Sequence, residues 1–287
     1  MNTWVPFGCS VIGASHIRKG VENQDSFDAL SKKGLSVIAI SDGHGGSKYV
    51  RSAIGSKLAT TTASKIASEN MELSSKMSKE ELNSIIHHMK NRFLLSWQKE
   101  VNADIAKKGR FSAAEFTILE ENCSTKVLDA VLETPRIAYG CTFLCAITYE
   151  DLVLILYYGD GNVLGLYDEE VRELTEDDPR NIANETLSLC TLKDAREISH
   201  KVLIGDEIPR LIMISTDGVK NSFDDMNEEE IKKFYNIPII IKDELIKRQG
   251  ETTKIEQGLE KMLERITTMG SGDDVTIAVL FNKQGVT

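Results

Sequence analysis

The stretch Val37-Ile38-Ala39-Ile40-Ser41-Asp42-Gly43-His44-Gly45-Gly46 decides the reading of this 287-residue chain. A short apolar run of strand character ends, without a spacer, in an aspartate, a glycine and a histidine. The glycines allow a tight turn and a close backbone approach to a ligand. The same design recurs downstream. Leu154–Tyr158 runs into Gly159-Asp160-Gly161, and Leu211–Thr216 runs into Asp217-Gly218. Two further strands begin just after an acid: Asn23-Gln24-Asp25 precedes Ser26–Leu30, and Asp273-Asp274 precedes Val275–Phe281. In an antiparallel sheet, strands that finish at an edge alternate with strands that start there. One arrangement therefore brings all five acid clusters to a single edge.

Carboxylates gathered in this way repel one another, and the relief is protonation or a counter-charge. No lysine or arginine adjoins any of the Asp-Gly turns, so metal cations are the natural counter-charge. Oxygen donors without a Cys or His cluster suit Mg²⁺ or Mn²⁺ rather than zinc. Asp-Gly is also an ordinary turn sequence. Turn chemistry alone does not explain why each pair abuts an apolar strand.

Outward from these turns, the pattern predicts strands at Ser10–Ala14, Ser26–Leu30 and Leu35–Ser41, then a helix from Ser47 to about Ser68. Ser78 with Glu81 forms a capping box ahead of Leu82, Ile85, Ile86, Met89, Phe93, Trp97, Val101 and Ile105, an amphipathic helix that stops at Gly109. Ser112 with Glu115 opens a less regular helix toward Glu133. Strands follow at Ile137–Thr148, Leu152–Tyr158, Val163–Tyr167, Leu211–Thr216 and Val275–Phe281, with helices at Asn227–Tyr235 and Thr252–Thr268. Residues 168–200 are polar and read as a flap. No linker or repeat divides the chain, so the expectation is one domain over 1–287, with a helical segment at about 78–133. The class is α+β: an antiparallel β-sandwich flanked by helices.

Composition narrows the function classes. Thirty-four basic residues against 44 acidic ones give a formal charge of −10, which argues against nucleic acid as the main partner. The longest apolar run, Leu152–Tyr158, is far short of the roughly 20 residues of a membrane span. The opening Met1-Asn2-Thr3-Trp4-Val5-Pro6 lacks the pattern of a signal peptide. Five cysteines, at 9, 123, 141, 145 and 190, are an odd number with no CxxC pair. A cytoplasmic, globular protein is expected.

Asn23-Gln24-Asp25, Asp42-Gly43-His44-Gly45-Gly46, Gly140-Cys141-Thr142, Gly159-Asp160-Gly161, Thr216-Asp217-Gly218-Val219 and Asp273-Asp274-Val275-Thr276 stand in the order and approximate spacing of the type 2C metal-dependent protein phosphatases. The chain resembles that family over residues 23–276. Gly13-Ala14-Ser15-His16 and Asn184-Glu185-Thr186 resemble its bacterial subgroup. The resemblance implies a helix-flanked β-sandwich with a binuclear Mn²⁺/Mg²⁺ centre. It also implies hydrolysis of phosphoserine and phosphothreonine by a water that bridges the two ions, in signalling opposed to a partner kinase. Carried over, Asp42 bridges the two ions and the Gly43 carbonyl binds one of them. Asp217 and Asp273 complete the other shell, and Asp25 contacts it directly or through water. Asp160 with Asp217 supports a third, weaker ion. His44 is the general acid for the departing serine or threonine oxygen. The chemistry is consistent: two such ions acidify a bridging water and neutralise phosphoryl oxygens.

Three positions depart from the family pattern. Gly20 stands where the phosphate-binding arginine is usual, which leaves Arg18 or Lys19 to serve from a shifted loop. Gln24 replaces an acid before Asp25, and Gly159-Asp160-Gly161-Asn162 replaces Gly-Asp-Ser-Arg. These departures bear on substrate affinity and remove no core aspartate. They keep two other readings open: a silent module that binds a phosphoprotein or kinase, and a hydrolase of small phosphate esters.

Other conspicuous residues have plain explanations. Adjacent His87 and His88 point about 100° apart on a helix and belong to its surface. Cys141 and Cys145 are small buried hydrophobes, and Trp97 is core. The acids after Asn227 suit a helix start. Gly270-Ser271-Gly272 lacks the lysine and helix of a phosphate loop.

Overall fold

Two five-stranded antiparallel sheets stand face to face among the residues that the computed structural model describes, which are 4–32, 34–69, 73–149, 151–176, 180, 186–223 and 226–283. The first sheet orders β1 (Trp4–Val11), β10 (Val275–Asn282), β9 (Leu211–Ser215), β6 (Asn162–Tyr167) and β7 (Glu170–Glu173) side by side. The second orders β2 (Ser26–Lys32), β3 (Leu35–Ser41), β4 (Phe143–Thr148), β5 (Leu152–Tyr158) and β8 (Ser199–Ile204).

Alternation along each strand divides the core into layers. Ile38, Ile40, Leu144, Ala146, Val153 and Ile155 of one sheet meet Val163, Ile212, Ile214, Ala278 and Leu280 of the other in the sandwich interior. The residues between them point outward into helices. Val37, Ala39, Cys145 and Leu154 pack under α2 (Ser52–Ser68) and α3 (Lys79–Lys108). Met213, Ile277, Val279 and Phe281 pack under α7 (Glu228–Lys247) and α8 (Thr252–Met269). Each fully buried side chain of this size is worth about 1.5–3 kcal/mol, so central strands apolar on both faces hold the layers together.

Both capping boxes form. Ser78 accepts from the Glu81 amide at 3.2 Å, and Ser112 does the same for α4 (Ala113–Asn122) at 3.3 Å. The irregular stretch beyond is a separate helix, α5 (Thr125–Glu133), capped by Ser124. Trp97 is fully buried and its Nε1 donates to the Gly55 carbonyl. His87 and His88 lie exposed on α3, while Cys141 and Cys145 are buried. The buried Arg51 binds Glu115 through Nε at 2.6 Å and Nη2 at 2.9 Å. Its Nη1 reaches Tyr139 Oη at 2.8 Å. That bidentate grip ties the helical layer to the chain just after Asp42-Gly43-His44.

Several elements differ from the periodicity reading, each for a local reason. The first strand is Trp4–Val11, not Ser10–Ala14, because Pro6 masks it. A proline is tolerated there since β1 is an edge strand. Residues 14–19 instead form a short helix, α1 (Ala14–Lys19). The strand expected from Ile137 starts at Phe143, since Pro135 opens a 3₁₀ turn over Pro135–Tyr139. Helix α7 continues past Tyr235 to Lys247 despite Pro238, which is buried on the helix along with Phe234, Ile237 and Ile241. The polar stretch 168–200 holds β7 and the start of β8, and both are edge strands with an exposed side. Residues 177–179 and 181–185 of that stretch, Asn184 and Glu185 among them, lie outside the described residues.

Candidate metal centre

Strand register brings the acids together. Ser26 faces Ser41, so Asp25 and Asp42 leave the same end of β2 and β3. Ser215 faces both Asn162 and Ile277, which sets Asp217 between the Asp160 turn and Asp273-Asp274. The sequence-predicted Asp25, Asp42, Asp160, Asp217 and Asp273 thus gather at one end of the sandwich.

Each acid is held by its own element. Buried Asp25 receives the hydroxyls of Thr216 at 2.8 Å and Thr276 at 2.7 Å on one carboxylate oxygen. The Asp42 main chain is clamped by Thr142, whose N–H donates to the Asp42 carbonyl at 2.8 Å and whose Oγ1 accepts the Asp42 N–H at 3.0 Å. Gly43 pairs with Cys141, and a Cβ on Gly43 would stand 2.5 Å from the Gln24 carbonyl oxygen. Only glycine permits that approach. Asp160 accepts the Thr186 hydroxyl at 2.7 Å. Asp217 opens α6 (Asp217–Lys220) and takes the Asn221 amide at 2.8 Å on Oδ2. Asp273 is about half exposed, and its Oδ1 accepts the Asp274 N–H at 2.9 Å.

The electrostatics are those of a site built for cations. Burial is the largest force raising the Asp42 carboxyl, and the charges of Asp25, Asp217 and Asp160 raise it further. Burial also lifts Asp25 well above the usual carboxylate range. The Thr276 hydroxyl opposes that rise, while Asp274 and Asp217 reinforce it. Asp160 is pushed up to about 6 by burial and then by Asp217, against the pull of Thr186. Asp273 is raised by burial, with Asp217 adding to the shift. Carboxylates in this condition either hold protons or share cations. Three buried polar atoms at the same place, Gln24 Oε1, His44 Nε2 and Asp217 Oδ1, have no hydrogen-bond partner. Orphaned donors and acceptors of this kind point to a missing group. An oxygen-dominated set fits Mn²⁺ or Mg²⁺.

His44 donates its backbone N–H to the Gly140 carbonyl at 3.1 Å, and its ring lies against Tyr49 with centroids 4.8 Å apart. Burial, then the charge of Lys48, lowers its pKa to about 4, against an upward pull from Asp217. The imidazole is therefore neutral at neutral pH. Arg18 and Lys19 are exposed on α1. The Arg18 guanidinium bends toward Gly272, with Nη2 3.9 Å from where a Cβ on Gly272 would lie. Gly20 ends α1 in the left-handed conformation at φ 68°, a geometry that disfavours an arginine at that position.

A profile of the protein phosphatase 2C family matches residues 12–264. The chain belongs to that family. Solved structures share its fold at low identity. The catalytic domain of the serine threonine protein phosphatase PstP, in complex with two manganese ions, is 13% identical with a TM-score of 0.57, covering 98% of this chain and 99% of that one. Stp1 of Staphylococcus aureus is 14% identical with a TM-score of 0.53, covering 98% and 95%. PppA of Pseudomonas aeruginosa is 15% identical with a TM-score of 0.54, covering 97% of each chain. No curated protein matches the chain. Both antiparallel sheets and their helical covers are thus those of the 2C phosphatase fold.

Thr142, Thr216 and Thr276 lie within the motif blocks, but their sequence positions assign them no role. They are the hydroxyls that fix Asp42 and Asp25. Ser56 likewise donates to the Gln24 carbonyl at 2.6 Å. For Thr216 and Thr276 the signal was a hydroxyl residue near an acid at a strand end, whereas Thr142 and Ser56 adjoin no acid in the sequence and gave none. No described helix is long and apolar enough to cross a membrane.

Proposed function

We propose that this member of the 2C family hydrolyses phosphoserine and phosphothreonine in protein substrates, using Mn²⁺ or Mg²⁺ held by Asp25, Asp42, the Gly43 carbonyl, Asp217 and Asp273, with Asp160 supporting a third ion. The observation that carries the reading is the convergence of five carboxylates around orphaned buried atoms in this fold. When bound, such ions supply an acidified water and offset the charge on phosphoryl oxygens. The chain's own groups do the rest. Thr216 and Thr276 orient Asp25, and Thr142 holds the Asp42 turn in register. His44 takes a proton once a phosphate dianion raises its pKa, and gives that proton to the departing serine or threonine oxygen. Arg18 or Lys19 grips the phosphate from α1 in place of an arginine at Gly20. Thr186, whose hydroxyl reaches Asp160, puts the described residues that follow it beside the site, where they shape substrate entry on a single domain. Five cysteines without a disulfide suit the cytoplasm, where a phosphorylated kinase or its targets are the fitting partners.

A phosphopeptide assay with and without chelator tests the reading. Activity should vanish after EDTA and return with Mn²⁺ or Mg²⁺ but not with Ca²⁺, whose larger, looser shell does not suit the site. Full activity in metal-free buffer overturns it. The phosphate grip has a separate check. Replacing Arg18 by alanine should raise KM for phosphopeptides several-fold while leaving Mn²⁺ affinity unchanged. An unchanged KM assigns Arg18 to the surface.

A further inference from the structure

The imidazole of His16, on α1, lies on the Asp273 side of the carboxylate cluster. Its Nδ1 is 2.9 Å from Asp274 Oδ1 and its Nε2 is 3.8 Å from Asp273 Oδ1. The ring is largely withdrawn from water, at 12% exposure. Even so, Nδ1 makes no hydrogen bond, because the approach to Asp274 lacks the alignment one needs. One ligand atom from each of His16, Asp273 and Asp274 lies within 4.8 Å of the others. Donors on adjacent corners of an ion with bonds near 2.1 Å stand roughly 3 Å apart, and opposite donors roughly 4.2 Å. An imidazole gives one ion a single nitrogen, so these distances describe alternative donors, Nδ1 toward Asp274 or Nε2 toward Asp273, and each spacing by itself falls within that range.

The backbone fixes this geometry. Asp274 Oδ1 accepts the Gly13 N–H and Oδ2 the Gln24 N–H, each at 2.6 Å. A carboxylate oxygen with one such bond keeps a second lone pair for another partner. Gly13 caps α1, so the carboxylate beside the imidazole also anchors the helix that presents it. Thr267 closes the arrangement by accepting the Ala14 N–H at 3.0 Å and donating to the Asp273 carbonyl at 2.7 Å.

We propose that His16 is a nitrogen ligand of the divalent ion beside Asp273, with Asp274 as its carboxylate neighbour. The inference rests on the aspartate cluster being a metal centre. Its chemical consequence is selectivity. An imidazole donor favours Mn²⁺ and later transition ions over Mg²⁺, which prefers oxygen. The competing role, an imidazolium that merely neutralises the two acids, has the opposite consequence: removing a cation from the carboxylates leaves metal binding unchanged or tighter.

Calorimetric titration of the metal-free full chain with Mn²⁺, paired with pulsed EPR at substoichiometric Mn²⁺, separates these roles. The wild type should show ¹⁴N coupling from a directly bound imidazole, and His44→Ala should retain it. His16→Ala should lose it, with Mn²⁺ affinity for that step falling about 10–100-fold and Mg²⁺ affinity falling less. His16→Asn, which offers an amide oxygen, should regain part of the affinity without the nitrogen signal. The wild-type spectrum is decisive even if a variant folds poorly. Bound Mn²⁺ without ¹⁴N coupling in the wild type, a signal lost in His44→Ala instead, or undiminished affinity in His16→Ala overturns the inference and leaves the aspartate centre standing. Failure of the wild type to bind Mn²⁺ at all overturns both.

Discussion

Asp42→Asn and Asp217→Asn are each expected to lower kcat/KM on a phosphopeptide by at least about 10³-fold, or some 4 kcal/mol of transition-state stabilisation. The substitution keeps shape and removes charge, so it isolates electrostatics. Asp42 sits where burial and three neighbouring carboxylates act on one group. Its backbone is pinned by Thr142 on both sides, which prevents the turn from relaxing to recover a ligand. Asp217 has one oxygen committed to Asn221 and the other, buried, without a partner, so the amide would misplace a donor where an acceptor is needed. Gln24→Ala is the contrast. Gln24 brings no charge, and its main chain is held by Asp274 and Ser56 whatever its side chain, so the loss should be much smaller. Near-normal turnover by Asp42→Asn at saturating metal would show that the aspartate convergence is not the catalytic centre.

The second large effect concerns His44 and depends on the leaving group. A serine alkoxide departs badly without a proton, whereas nitrophenolate departs readily as an anion. His44→Ala should therefore cut phosphoserine-peptide turnover by roughly 10²-fold or more and p-nitrophenyl phosphate turnover clearly less. The low pKa of His44, about 4, sharpens the expectation. On the proposed mechanism the imidazole acquires its proton only when a phosphate dianion stands beside it. Above that value the free enzyme carries His44 neutral; because a general acid works only when protonated, its loss of the proton in the substrate complex should show as a fall in kcat on the alkaline side, without a matching pKa in kcat/KM. Steady-state rates on both substrates over a pH series check this. Equal losses on the two substrates would assign His44 to the metals or the fold and remove the general-acid role.

Much of the architecture was legible because its causes are local. The central strands β3, β5 and β10 announce themselves by apolar runs that end or begin at acids. The capping boxes at Ser78 and Ser112 need only residues three positions apart. Edge strands were not legible in this way. Glu170–Glu173 and Ser199–Ile204 pair on one side only and so never needed an apolar pattern. Trp4–Val11 was hidden by a proline that an interior strand could not have carried.

The sequence by itself determined that acids stand at strand ends, that an antiparallel arrangement can bring them to one edge, and that such an edge calls for cations. Only the tertiary structure decided which neutral groups serve those acids. The hydroxyls of Thr216 and Thr276 meet Asp25 across separations of 191 and 251 residues, and Asp274 takes the Gly13 amide across 261. The physical reason is range. Capping and periodicity act within a turn or two of chain, whereas a hydrogen bond between distant residues exists only after sheet register has closed the distance, and the approach of His16 to Asp273 and Asp274 belongs wholly to that second kind.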